Sequence, residues 1–142
     1  MTSPHRLEIQ KRAAGIAKEV SAIVNDWGFF HQQTMGIQLV RAADSIGSNI
    51  SEGYGRSSTA ERIQFILIAD GSLYEVKYQV ALSYDRGLIT ESTAKELDQR
   101  LLSLSISMIE FCHSLLEQDP AYKGPYRERI PKRMWWRRKK HP

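Results

Sequence analysis

The stretch "GIQLVRAADSIGSNISEGYGR", Gly36 to Arg56, carries two patterns on one helical period. Leu39, Ala42 or Ala43, Ile46 and Ile50 recur at three- and four-residue steps and give the helix an apolar side. Arg41, Ser45, Ser48 or Asn49, and Glu52 recur at the same steps and form a polar line of their own. An outward side of a helix usually carries interchangeable Lys and Glu, so this line asks for another explanation. The next helical stretch has a counterpart in Ser72, Glu75 and Gln79, preceded by Glu61 and Ile68. If the two helices are antiparallel neighbours, both polar lines adjoin the apolar seam. A buried Arg41 would be costly unless paired, and Glu75 or Glu52 is the candidate partner. Asn49 brings donors and an acceptor that can tie one helix to the next. Two readings stay open: a network that fixes register or a subunit contact, and a polar pocket that binds a ligand.

Working outward, three further segments show helical period and none shows strand-like alternation. The first spans Pro4 to Asp26, with Ser3 as N-cap and Pro4 at the first helical position. Its seam is Ile9, Ala13, Ile16, Val20, Ile23 and Trp27. "DWGFFHQQTMG" then reads as a connection, and the second helix runs from Thr34 to Glu52, stopped by "GYG" at Gly53 to Gly55. The third opens with the capping box Ser58–Glu61, carries Ile66, Ala69, Leu73, Val76 and Val80, and ends near Gly87 as C′ residue. The fourth begins at Thr90 to Thr93, repeats Leu97, Leu101, Leu104, Met108, Phe111 and Leu115, and ends at Pro120. Each would be roughly 30 to 40 Å long at 1.5 Å per residue. Short connections make neighbours antiparallel. The expected fold is all-α, an antiparallel up-down-up-down four-helix bundle over residues 1–119 with an extended basic C-terminal arm over 120–142. The fourth helix adds a second apolar line, Leu102, Ile109, Cys112 and Leu116, which suggests a buried subunit contact.

A chain of 142 residues makes one domain with a proper core, and its 42% apolar and 25% charged residues are ordinary for a globular protein. No apolar run approaches the roughly 20 residues that span a bilayer, and "MTSPHRLEIQ" lacks the apolar core of a signal peptide, so a cytoplasmic protein is expected. The single cysteine, Cys112, agrees with a reducing compartment and falls in an apolar pattern typical of inert core thiols. Charge is unevenly spread. Residues 122–142 hold nine Lys or Arg against the single acid Glu128, which puts the tail at +8 and the remainder at −4 within a net charge of +4. In "KRMWWRRKK", Lys132, Arg133, Arg137, Arg138, Lys139 and Lys140 flank Trp135 and Trp136. Cations that release counterions and indoles that stack on unpaired bases suit nucleic acid. Protein docking, with the tryptophans clipped onto the bundle, is the second reading. A membrane interface is the least favoured, because the tail lacks an amphipathic helical period.

Catalytic chemistry finds little support. A di-iron bundle needs two Glu-x-x-His pairs, and Glu110 with His113 supplies one. His113 has no arginine close by on its helix for acid–base work on phosphate esters, and the glycines of "GYGR" lack the Lys-Ser/Thr of a phosphate loop. The expectation is no enzyme, no metal and no cofactor.

The polar lines also carry a family resemblance. "QLVRAADSIGSNISEGYGR" followed by "FILIADGSLYEVKYQVALSYDRGLI" resembles the four-helix-bundle proteins encoded in intervening sequences of bacterial 23S rRNA genes. The matching positions are Gln38, Leu39, Arg41, Ala42, Ser45, Ile46, Asn49, Ile50, Glu52, Gly53, Gly55 and Arg56, then Phe65, Ile68, Ala69, Gly71, Ser72, Leu73 and Glu75. Ser51 and Gly47 replace the family's usual Ala and Pro. The first helix lacks the family's aromatic opening, and the basic tail is not a family hallmark. The resemblance implies a homopentameric ring. It extends distantly to the accessory variability determinant of diversity-generating retroelements, a pentamer that binds reverse transcriptase and nucleic acid. It implies no catalytic residue. The resulting expectation is an oligomeric binding protein. Its partners are further copies of itself, RNA or single-stranded DNA, and a reverse transcriptase or ribonucleoprotein. The competing class is a structural scaffold whose arm docks on a neighbouring subunit.

Overall fold

A computed structural model describes residues 5–138. The described chain is all-α. Four long helices dominate it: α1 (Arg6–Asn25), α3 (Ile37–Tyr54), α4 (Thr59–Asp85) and α5 (Glu91–Glu117). A short helix, α2 (Phe29–His31), and a π turn (Gln32–Gly36) lead into α3, while α6 (Tyr126–Lys132) and α7 (Trp135–Arg138) close the chain.

The long helices surround one core, and their cross-contacts run in opposite order along each neighbouring pair. Gln38 meets Gln79, and Ser45 meets Ser72, between α3 and α4. Lys77 faces Asp98, and Thr59 faces Asp119, where α4 meets α5. Arg12 reaches Ser103 and Ser107 while Glu19 pairs with Arg100, so α1 lies against α5.

Apolar spacing dictates this packing. Ile9, Ala13, Ile16 and Val20 of α1 are buried as the period requires. Beyond them the core line passes to Val24, leaving Ile23 and Trp27 only partly covered at its edge. All the expected core residues of α3 and α4 are buried. Caps mark the starts. Ser58 Oγ accepts from the Glu61 N–H at 3.1 Å, and Thr90 Oγ1 accepts from the Thr93 N–H at 3.1 Å. Gly87, at φ +72°, takes the left-handed C′ position after α4.

Four expectations need correction. Ser3 and Pro4 lie outside the described residues, and α1 is instead capped by His5, whose Nδ1 accepts from the Leu7 N–H at 3.1 Å. "DWGFFHQQTMG" is largely helical, because Gln32 Nε2 donates to the Val24 and Asn25 carbonyls and Gly36 lets the π turn approach Val24. Gly53 is not a left-handed stop but part of α3. A Cβ there would stand 2.8 Å from Phe65 Cβ and 3.1 Å from the Arg62 carbonyl, so glycine permits close approach of α4.

The fourth correction concerns the tail. Its described part is neither extended nor outside the body. Ile130 (0% exposed) and Met134 (2%) join the main core cluster. They share it with Ile109, Cys112 and Leu116, so these three residues of the second apolar line of α5 are covered from within the same chain, while Leu102 stays half-buried outside the cluster. Arg127 secures the crossing by donating to the carbonyls of Leu116, Asp119 and Tyr122 at the end of α5.

Candidate nucleic-acid interface

The docked tail is fixed by two carboxylates that its own cations meet on the body. Asp70, buried on α4, accepts from Ser105 Oγ at 2.6 Å and from Arg133 Nη2 at 2.7 Å. Burial pushes its carboxyl above the ordinary value, although Ser105 and Arg133 both act to lower it. Glu110, on α5, accepts from Trp136 Nε1 at 2.7 Å and from Arg137 at 3.0 and 2.5 Å. Burial opposes its ionisation, but the hydrogen bonds from Arg137 and Trp136 prevail and hold the carboxyl below its usual range. The Glu110–His113 pair therefore offers no vacant carboxylate to a metal. Cys112 is fully buried and its thiol is driven upward by desolvation, which leaves it inert.

The tail residues thus divide. Arg133, Arg137 and Trp136 reach the carboxylates of the body and anchor the segment, although both arginines stay half-exposed. Trp135, 40% exposed, packs edge-on against Trp136 at 5.6 Å between ring centroids. Lys132 pairs with Glu128 at 2.9 Å on the surface, a contact of little energy in water. Arg138 donates to the Pro131 and Lys132 carbonyls, which orders its side chain without neutralising it. Lys123 and Arg129 are exposed and have no acid partner among the described residues. Lys139 and Lys140 fall outside the described residues.

The polar lines of α3 and α4 divide too. Ser45 Oγ and Ser72 Oγ lie 2.9 Å apart, and Asn49 Nδ2 donates to both the carbonyl and the hydroxyl of Ser45. Gln79 is buried and donates to Gln38 at 3.1 Å. The Ser45–Ser72 and Gln38–Gln79 hydrogen bonds cross between α3 and α4, whereas those of Asn49 stay within α3. Arg41, Glu52 and Glu75 join neither crossing. All three are exposed in the single chain; Glu52 pairs with Arg56 at 2.7 Å, while Arg41 and Glu75 make no ion pair among the described residues. The expected Arg41–Glu75 pairing is absent because each residue points outward from its own helix. Around Glu75, α4 also exposes Ile68 (45%), Tyr74 (50%) and Tyr78 (65%). Sequence reasoning missed Asp70, Ser105 and Glu110 as tail anchors. Their one legible signal was a carboxylate beside each apolar seam, at Ala69–Asp70 and Ile109–Glu110.

The sequence profile of the 23S rRNA-intervening sequence protein family matches residues 5–110. The chain belongs to this family. In the 23S rRNA-intervening sequence proteins the matched region corresponds here to α1 through most of α5, so the docked tail lies beyond it. A solved protein of unknown function from the S23 ribosomal protein family of Bacteroides thetaiotaomicron has a similar fold, with a TM-score of 0.69. It is 20% identical, and the likeness covers 76% of this chain and 97% of that one. No curated protein is similar enough to count as a relative. Among the described residues no helix is long and apolar enough to cross a membrane.

Proposed function

We propose that the chain is a non-enzymatic, self-assembling protein built on an up-down-up-down four-helix bundle, and that it binds nucleic acid through the cationic surface of its docked tail. The observation that carries this reading is the folded placement of residues 122–138, the described part of the tail, which hold seven cations and one acid. Docking neutralises Arg133 and Arg137, while Lys123, Arg129 and Arg138 stay on the surface without a carboxylate partner among the described residues. A fixed array of cations gains affinity by counterion release and loses less conformational entropy than a loose arm. Trp135, at its edge, offers a partly exposed ring for an unpaired base. A non-enzymatic role is supported by Glu110, already engaged by the tail, and by the buried, protonated Cys112.

The assembly we propose is the pentameric ring implied by the family resemblance, with the exposed Ile68, Tyr74 and Tyr78 of α4 at the subunit contact. Five docked tails would then form one multivalent basic surface, suited to RNA, single-stranded DNA or a ribonucleoprotein. The test is fluorescence anisotropy of labelled single-stranded RNA over a salt series. Affinity should fall linearly with log salt, and Arg129→Ser with Arg138→Ser should reduce that slope by about two. A slope unchanged by the double substitution refutes the tail surface as the site.

A further inference from the structure

At the end of the body where α1 and α4 begin and α3 and α5 finish, a cleft of about 590 Å³ opens. Ile66, Phe111 and Leu115 line it, with Tyr54, Arg6 and Arg62 beside them. Arg6 lies over the Tyr54 ring, its Cζ 3.3 Å from the centroid, and Arg62 Cζ is 5.9 Å from the same centroid. A third arginine nearby, Arg56, is held by Glu52 at 2.7 Å and by Glu61 at 3.9 Å. Arg6 and Arg62 make no ion pair among the described residues. Arg62 donates Nε to the Arg56 carbonyl at 2.7 Å, which orients its fork and leaves both terminal nitrogens available. Arg6 keeps Nε buried and without a partner, so its outward donors are the two terminal nitrogens. The carboxylate in the lining, Glu117, stands 3.2 Å from His113 Nδ1.

Two guanidiniums ordered around one aromatic ring match the forked recognition of phosphate better than that of a point anion. The volume falls within the range of small-molecule sites. The apolar surface of Phe111 and Leu115, above the buried Ile66, would be idle under inorganic phosphate alone and fits a planar body attached to it. We propose that this cleft binds a phosphorylated nucleoside, with Arg6 and Arg62 on the phosphate and the base against Phe111 and Leu115. The same chemistry is offered by a free mononucleotide and by the 5′-phosphorylated end of a strand.

Calorimetry of the full-length protein with AMP, adenosine, inorganic phosphate, and a tetranucleotide bearing either a 5′-phosphate or a 5′-hydroxyl tests this site. AMP should bind at least tenfold more tightly than adenosine or phosphate. Arg62→Gln should weaken AMP at least tenfold without changing the helical circular dichroism, and Arg62→Lys should fall between the two because it keeps charge and loses the fork. A 5′-phosphorylated tetranucleotide that outbinds AMP assigns the site to strand ends; the reverse order assigns it to free nucleotide. Arg138→Ser should leave AMP affinity unchanged, which separates this site from the tail surface. AMP binding no tighter than adenosine, or unaltered by Arg62→Gln, overturns the proposal.

Discussion

Arg137 Nη2 lies 2.5 Å from Glu110 Oε2, across a sequence separation of 27 residues. Together with the Trp136 indole on Oε1, it clamps α7, a helix of four residues, onto a helix of 27. A helix so short has no stability of its own in water. Its conformation is set by this clamp and by the burial of Met134 just before it. Glu110→Ala should therefore free Trp136 and lower stability by about 1–2 kcal/mol, the size of charge-assisted hydrogen bonds discounted for the half-exposed arginine. Tryptophan emission should shift to the red below the main unfolding transition. An unchanged emission maximum and denaturation midpoint would show the clamp to be idle.

The two anchoring carboxylates should give opposite pH dependences. Glu110 is held below its ordinary value of 4.5, so its contribution is complete at neutral pH and is lost as pH falls through that lowered value. Asp70 is raised above 3.8 by burial, so its contribution is greatest below that value and declines as pH rises through the raised one. Urea midpoints taken from pH 3 to 8 should therefore lose their acid-side decline in Glu110→Gln. Asp70→Asn should instead flatten the fall toward neutrality, even though Arg133 loses its ionic partner. Parallel profiles for wild type and both variants would contradict this assignment.

Gly53 and Gly71 should respond in opposite directions to the same substitution. A Cβ at Gly53 would press on Phe65 and on the Arg62 backbone, and the resulting overpacking costs about 1–3 kcal/mol. Nothing lies within 4 Å of a Cβ at Gly71, which is exposed in the middle of α4. Gly71→Ala should stabilise the isolated chain by about 0.5–1 kcal/mol through helix propensity. Thermal melts of the two variants at low protein concentration check both signs.

The seams of the long helices were legible because Ile9, Ile46, Leu73 and Leu101 each repeat over several turns, and period alone decides which side is buried. The tail was not. Its two core anchors, Ile130 and Met134, are four residues apart and stand among cations and prolines, too few to make a period. Their presence was written on α5 instead, where Ile109, Cys112 and Leu116 broaden the apolar side beyond what the other long helices cover. From sequence alone that width suggests a subunit contact, because a folded cover from the same chain has no sequence signature at such length. The polar lines were half legible for a related reason. Spacing places Ser45, Asn49, Ser72 and Gln79 near the seam, but Arg41 and Glu75 sit close enough to the helix flank for long side chains to reach solvent.

Arg41 and Glu75 are therefore where self-association can be tested. On α4, Ile68, Tyr74 and Tyr78 form an exposed apolar strip around Glu75, with Gly71 leaving room for a close approach. Arg41 stands on the outer side of α3 with no acid partner among the described residues. A contact that sets the α4 strip of one copy against α3 of the next is heterologous, the kind that closes into a ring. Native mass measurement of wild type should then show an oligomer, and Tyr78→Glu should shift it to monomer by placing a charge in the contact. Arg41→Glu and Glu75→Arg should each weaken assembly, whereas the double swap should recover part of it if the two residues meet across the contact. Gly71→Ala gives an independent sign: the stabilising change in the isolated chain should become disruptive where the helices meet. A monomeric wild type, or an oligomer indifferent to Tyr78→Glu and Gly71→Ala, would place any self-association elsewhere on the surface.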